Sequence, residues 1–305
     1  MQKTSIIICT YNRAVLLERL FGALARQSVG AGAFEVIVVD DGSTDSTRSV
    51  CDRAMHELPC LRHIRLDANV GHAGASCVGL REAKGEVLLF TDDDCIPRPD
   101  WVERMCAALE QDSIVAGAVD SPHGDFIKLC HNVGQFQDFL SGRAAREVGF
   151  APGANMGMRR SVIQRAGLPG ARRRYAYDTE LILRARAKGC VVRFHPEAEI
   201  LHDPPRDRSR LLNILRYSAD HAAATITLRR QYAGLLRTPF LLRSPFLLLL
   251  ASPAIAFAAS FHIYARDRVV LRFWRTAPVV FLMKLAWCWG SACGLRALSR
   301  AEGGS

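Results

Sequence analysis

Four short apolar runs, near residues 4–10, 35–39, 61–66 and 86–91, alternate with amphipathic stretches near 14–27, 45–57, 72–84 and 99–110. Apolar runs of that length read as buried strands, and stretches with an apolar residue every three or four positions read as helices. A strand-helix order repeated four times predicts an α/β fold with a mostly parallel, Rossmann-like sheet flanked by helices. Such a sheet binds ligands beyond the carboxyl ends of its strands. Polar residues stand at each of those ends: Thr10-Tyr11-Asn12-Arg13, then Asp40-Asp41-Gly42-Ser43-Thr44-Asp45, then Asp67-Ala68-Asn69-Val70-Gly71, and last Asp92-Asp93-Asp94.

The fourth end carries the sharpest chemistry. Val87-Leu88-Leu89-Phe90 leads into three adjacent carboxylates, which repel one another where the strand stops. Two accounts stand. A divalent cation, Mg²⁺ or Mn²⁺, would offset the charge through hard oxygen ligands; alternatively the triplet is a solvated acidic turn ahead of the next helix. At the second end, Asp41-Gly42 reads as a turn and Ser43 or Asp45 as a helix cap. Capping leaves the Asp41 carboxylate unexplained, and there it can accept from a nucleobase imide N–H. Glycines at 71, 74 and 79 pack a helix closely, while the lack of G-x-G-x-x-G after the first strand argues against a dinucleotide cofactor.

In this order and spacing the four segments resemble the family 2 glycosyltransferases, which have the GT-A fold. The resemblance rests on Ile6–Arg13, Val38–Asp45, Asn69-Val70-Gly71 with Gly79, and Leu88–Asp94. It implies an inverting, metal-dependent transfer of a sugar from a nucleotide-diphospho-sugar to an acceptor hydroxyl, in polysaccharide, glycolipid or cell-envelope glycan synthesis. It further implies that Thr10, Tyr11, Asn12, Arg13, Asp41 and Asn69 hold the nucleotide. Asp92 matches the first aspartate of the DxD motif, near the ribose, and Asp93 belongs to the same nucleotide-facing segment. Asp94 matches the second aspartate, the ligand of Mg²⁺ or Mn²⁺ on the diphosphate, with Asp92 and His202 as further ligands. Many relatives carry Arg-Asn before the glycine matching Gly79, where this chain has Ser76-Cys77.

Downstream, Ile114–Val119 reads as a further strand, and 112–152 as a partly helical segment with His123 and His131. The resemblance makes this an acceptor-side insertion. It also likens Gly153–Arg160 to a strand and turn lining the acceptor site, which puts Asn155 and Arg159 there. Asp178 matches the family's catalytic base, with Tyr177 in place of a glutamate; the residues alone equally allow Asp178 or Thr179 to cap a helix. Arg172-Arg173-Arg174 is either a solvated loop or an anion clamp facing a phosphate on the acceptor or the donor, with Arg174 placed on the acceptor side. Val191–His202 reads as two short strands around a turn. A histidine recurs at the position of His202 in the resembling proteins, although a lone histidine is otherwise a packed residue.

The net charge of +10 is concentrated at one end: Lys and Arg number 29 against 28 Asp and Glu through Leu228, and 11 against 2 beyond it. Two domains are expected, a catalytic GT-A domain over 1–228 and a basic, apolar membrane-associating region over 229–305. Within the latter, Phe240–Ala265 is long enough to cross a bilayer, and Pro278–Leu295 is a shorter run holding Lys284. Arginines flank both runs and lie between them, an arrangement that a simple two-pass hairpin satisfies poorly. Helices lying in the cytoplasmic leaflet, peripheral or monotopic, are favoured over two spans, with an anionic membrane surface as partner. Nucleic acid is not expected, because the charge lies among lipid-like segments and not on a mixed basic and aromatic face. Ten scattered cysteines without a CxxC pair, and no signal-peptide core at the start, point to reduced thiols in the cytoplasm. The other functional class is a non-catalytic, membrane-tethered sugar-nucleotide-binding protein, which would keep Asp41 and Asp94 but not need Asp178.

Overall fold

A computed structural model describes residues 3–122, 124–170, 176–205, 210–236, 239–265 and 267–302. The chain divides into two compact units, Met1–Ser121 with Ser141–Asp203, and Pro122–Leu140 with Pro204–Ser305. The boundary expected at 228/229 falls inside a helix of the second unit, Leu211–Gln231.

The first unit is built on one sheet. Its strands are β1 (Thr4–Thr10), β2 (Phe34–Asp40), β3 (Leu61–Arg65), β4 (Val87–Thr91), β5 (Cys95–Pro97), β6 (Ile114–Asp120), β7 (Arg146–Val148), β8 (Asn155–Arg159) and β9 (Val192–His202). Their spatial order is β3-β2-β1-β4-β8-β6-β9-β5, with β7 also on β9. The first four strands are parallel, β8 runs against both β4 and β6, and β9 is parallel to β6. Numbered along the whole chain, the helices of this unit are α1 (Ala14–Leu24), α2 (Thr47–Glu57), α3 (His72–Glu82), α4 (Trp101–Gln111), α6 (Arg160–Ala166) and α7 (Tyr177–Ala187).

Ile6, Ile8, Val36–Val39, Leu88 and Leu89 are fully buried, each side chain contributing about 1.5–3 kcal/mol on transfer from water. Helix α3 lies so close to this layer that a Cβ on Gly79 would come within 2.6 Å of Ile7 Cγ2. Close packing is therefore what the glycine serves. The two short strands expected over 191–202 are one strand, β9. Its register on β6 shifts between Gly117 and Ala118, which pair with His195 and Glu199, so Pro196, lacking an N–H, falls in the bulge.

The second unit is helical: α5 (Phe126–Phe136), α8 (Leu211–Gln231), α9 (Pro245–Ala265), the single turn α10 (Arg268–Leu271) and α11 (Ala277–Glu302). Asp125 caps α5 by accepting from Ile127 and Lys128 N–H. Small residues let α8 and α11 approach: a Cβ on Gly290 would overlap the Ala219 carbonyl, and one on Gly294 would lie 2.6 Å from Ile226 Cγ2. Two apolar clusters hold the rest. Val133 and Leu140 pack with Ile263, Tyr264, Val270 and Val280; Ile226 packs with Leu248, Cys288, Ala292 and Leu295.

Candidate active site

The carboxyl ends of β1, β2 and β4 are tied to one another through side chains. Arg13 Nη1 reaches Asp93 Oδ1 at 2.5 Å and Asp94 Oδ2 at 3.4 Å, and Thr10 Oγ1 donates to Asp93 Oδ2 at 2.8 Å. Asp93 is 2% exposed. Its carboxyl is pushed up to about 6, raised by burial first and by neighbouring Asp94, with Arg13 and Thr10 opposing the rise. The expected nucleotide-facing role of Asp93 is thus replaced by an internal one, neutralising Arg13 beneath the site. Thr10, also buried, is committed to the same pair.

The loops after β1, β2 and β3 are organised by their own acceptors. Asn12, at φ +52, accepts at Oδ1 from Thr44 N–H (2.7 Å) and Asp45 N–H (3.3 Å), and its own N–H goes to Ser43 Oγ. Asparagine is the side chain that tolerates this left-handed geometry best. Asp41 accepts from Val70 N–H (2.7 Å) and Gly71 N–H (2.9 Å), one on each oxygen. That pair of bonds fixes the Asn69-Val70-Gly71 loop over Gly42, whose φ of +78 and contact with the Ala68 backbone leave no room for a side chain. Tyr11, Asn12, Asn69 and Val70 are exposed at this end, as are Thr44, Asp45, Asp67, Ala68 and His72.

Of the three carboxylates, Asp92 is half-buried, while Asp93 and Asp94 are both buried. Asp94 Oδ1 lies 3.4 Å from His202 Nε2, because β5 pairs with β9 so that Cys95 stands opposite His202. Asp203 N–H then closes onto the Asp94 carbonyl at 2.8 Å. Asp92 has its carboxyl raised, by burial first and by Asp94; His72, His202 and Arg13 oppose the rise. His72 begins α3 right after Gly71, and the sequence offered no signal for it beyond that position.

A divalent cation fits this donor set. Asp94 and His202 are buried, Asp92 is half-buried beside them, and Arg13, the arginine that reaches Asp94, is already engaged by Asp93. Among the described residues no group of three His, Cys, Asp or Glu forms a full cage. A partial set suits an ion that takes one or two carboxylates and fills its remaining positions with phosphate oxygens and water.

Asp178 sits in the first turn of α7. Its Oδ2 accepts from Gly153 N–H at 3.0 Å and its Oδ1 from Thr179 N–H at 2.7 Å. Neither Asp178 nor Thr179 is the cap of the helix: that position is Ala176, left-handed at φ +63 with no side-chain bond. Gly153 lies two residues before Asn155, which pairs with Thr91 next to Asp92, so the sheet register brings Asp178 to the acidic end. Tyr177 Oη lies 4.0 Å from Cys77 Sγ, both buried; two of the three positions that depart from the family pattern touch each other.

The acceptor-side expectations fare differently. Asn155 is fully buried and spends its amide inside the sheet, accepting from Trp101 Nε1 and donating to the Ala118 and Ala198 carbonyls. It is a scaffold for the β6–β9 bulge and does not face a substrate. Arg159 pairs with Val87, at the opposite end of β4 from the carboxylates, and donates to the Glu110 carbonyl. It is far along the strand from the site. Arg174 and its neighbours 171–175, like His123, lie outside the described residues.

A parallel β-α start converging on acidic strand ends, an antiparallel strand β8, and a late strand returning a histidine to the cluster make up the GT-A arrangement. Residues 5–167 match the model of Glycosyl transferase family 2, more than half of the chain. The chain belongs to that family. It is 35% identical over 156 residues to validoxylamine A glucosyltransferase of Streptomyces hygroscopicus subsp. jinggangensis, a match covering 48% of this chain and 36% of that protein. It is 34% identical over 130 residues to the poly(ribitol-phosphate) beta-N-acetylglucosaminyltransferase TarS of Staphylococcus aureus, covering 42% and 21%. These matches span only about a third or less of either relative. Among solved structures, the mannosyltransferase PcManGT of Pyrobaculum calidifontis, in complex with GDP-Man and Mn²⁺, has a TM-score of 0.63 over 92% of this chain and 86% of that one, at 18% identity. TarS 1-349 in complex with UDP-GlcNAc gives 0.55 over 98% and 92%, at 17% identity.

Proposed function

We propose that the protein is an inverting, divalent-metal-dependent glycosyltransferase that moves a sugar from a nucleotide-diphospho-sugar to a hydroxyl of a glycan or lipid-linked acceptor, at the cytoplasmic face of a membrane. One observation carries this: Asp94 and His202, 3.4 Å apart, share the end of the sheet toward which the register also brings Asp178. The donor class is supported by the named complexes of PcManGT with GDP-Man and of TarS with UDP-GlcNAc.

Asp94, Asp92 and His202 would hold Mg²⁺ or Mn²⁺, which when bound offsets the charge on the diphosphate as it leaves. Tyr11, Asn12 and the Asn69 loop would receive the nucleotide, with Asp41 and Arg13 fixing those loops from below. Asp178 takes the proton of the acceptor hydroxyl as its oxygen attacks the anomeric carbon from the face opposite the leaving group. The bonds from Gly153 N–H to Oδ2 and from Thr179 N–H and Oγ1 to Oδ1 orient its carboxylate and leave a lone pair on Oδ2 for the acceptor. An ordinary carboxylate suffices, since the hydroxyl becomes acidic only as its bond to an oxocarbenium-like carbon forms. Holding both substrates in line supplies much of the rate.

The test is transfer from a panel of nucleotide sugars with Mn²⁺, with and without a chelator. Full turnover in excess EDTA would sink the metal assignment. Donor binding without transfer or hydrolysis under any condition would favour a non-catalytic binding protein.

A further inference from the structure

Helix α9 has 17% of its apolar window buried, against 44% for the window over α11. The difference has a structural source. Helix α11 is covered along its length by two other helices: Met283 Sδ and Cε stand where a side chain on Gly134 of α5 would go, Lys284 Nζ reaches the Gly134 carbonyl at 3.3 Å, and α8 closes onto Gly290 and Gly294. Helix α9 packs on α11 by one side, through Leu248 near one end and Ile263 near the other. Its outer side is bare. Phe246 (70% exposed), Leu250 (71%), Phe257 (66%) and Phe261 (65%) recur at helical spacing along it, and Phe257 and Phe261 stack at 6.4 Å.

We infer that α9 and α11 form an in-plane wedge seated in one leaflet of an anionic membrane, with this face of α9 toward the acyl chains, and that neither helix crosses the bilayer. The inference rests on the membrane association proposed above and fixes its geometry. A crossing hairpin would have to carry one of its two ends to the far side, and both ends are held back. The end formed by α10 and the start of α11 packs on α5. Helix α5 and Leu140 belong to a segment bonded at both ends into the sheet-bearing unit, at Ser121 and Ser141, and residues 121–140, helical over 126–136, reach at most about 50 Å in all, too short to pass a hydrocarbon core of about 30 Å and return. The other end packs on Ile226 of α8, and α8 runs alongside α11 in the same direction, Ala219 at Gly290 and Ala223 at Gly294. To reach the far side α8 would have to cross as well, with Arg216 and Asp220 exposed in mid-helix.

Seated in plane, the unit meets one leaflet with both ends of α9. Arg243 precedes that helix and Arg268, Arg272 and Arg275 follow it, all exposed, and Arg275 stacks over the exposed Trp274. Anionic headgroups on a single side complement all of them, and aromatic rings beside them suit the interface. The basic flanks that a two-pass hairpin leaves on opposite sides are satisfied together.

The test uses the full chain. Flotation with vesicles of phosphatidylcholine, with and without phosphatidylglycerol, is expected to give binding that is at least several-fold stronger with the anionic lipid. The Phe257→Glu/Phe261→Glu variant, altered only at exposed positions, should bind at least tenfold more weakly with an unchanged melting temperature; binding equal to wild type would overturn the lipid-facing assignment. For sidedness, Leu271→Cys, Arg300→Cys and Asp220→Cys are each placed in a Cys293→Ser background and treated with a membrane-impermeant maleimide, in inside-out and right-side-out membrane vesicles. All three should label from the same face. Labelling of Leu271→Cys or Arg300→Cys from the face opposite Asp220→Cys would overturn the in-plane geometry while leaving membrane association intact. A wild-type chain that floats with no vesicle would defeat the association itself.

Discussion

Asp178→Asn keeps the shape of the side chain and removes its basicity. Turnover should fall by about 10²–10⁴-fold, the usual contribution of a general base, while donor affinity, measured separately by calorimetry, stays within a few fold. Asn155→Ala is expected to act on stability: it strands the Trp101 indole N–H and the Ala118 and Ala198 carbonyls in the core, costing about 3 kcal/mol or more in chemical denaturation. At the other end of the sheet, burial would raise the Glu35 carboxyl, but bonds from Ser5 Oγ and Lys84 N–H, with Lys3 and Arg62 nearby, leave it lowered from its ordinary value of 4.5. An acid held low in the folded chain contributes stability that is present above 4.5 and lost as pH falls through the folded value. The stability gap between wild type and Glu35→Gln should therefore hold from neutral pH down to about pH 5 and narrow as the pH falls below 4.5. Chemistry at this scale was half legible. Three carboxylates after an apolar run announce themselves, and Asp178 stood at a recognisable place; the commitment of Asp93 to Arg13, and of Asn155 to three buried partners, depends on groups 37 to 80 positions apart, which no local pattern encodes.

Among elements, β1 to β4 and α1 to α4 were legible nearly to the residue, because each run carries the periodicity of its own element and polar residues punctuate the ends. Strand β9 was not, since a proline inside an apolar run reads as a break, and only pairing with β6 shows that a bulge absorbs it. Nor was the membership of 122–140 in the helical unit, which is decided by α11, some 150 residues later. The α8–α11 contact makes a direct test of packing. Gly290→Ala puts a methyl where the Ala219 carbonyl stands, so the helices must separate, at about 1–3 kcal/mol for an overpacked contact. Gly234→Ala, with nothing within 4 Å of its Cβ, is the control and should leave the melting temperature where it is.

For the molecule as a whole, a ligand that binds the folded chain stabilises it by mass action. A matching nucleotide sugar with Mn²⁺ at about a hundred times its Kd should add about 2.7 kcal/mol, raising the melting temperature by several degrees. EDTA should reverse most of that rise, and a sugar nucleotide without metal should produce little of it. A shift unaffected by EDTA would separate nucleotide binding from the acidic cluster. Beyond equilibrium, the pairing of β5 with β9 bears on synthesis. Asp94 and Cys95 leave the ribosome early, but His202, which stands opposite Cys95, follows about a hundred residues later, some 5–20 s at ordinary elongation rates. Through that interval the four parallel strands and the loops after them are already synthesised, while the acidic corner lacks both the imidazole and the clasp from Asp203. A growing chain therefore acquires the polar ends of those strands well before the groups that complete the charge balance of the acidic corner, and the last of them arrive only as the polypeptide is leaving the sheet-bearing unit for the helical one.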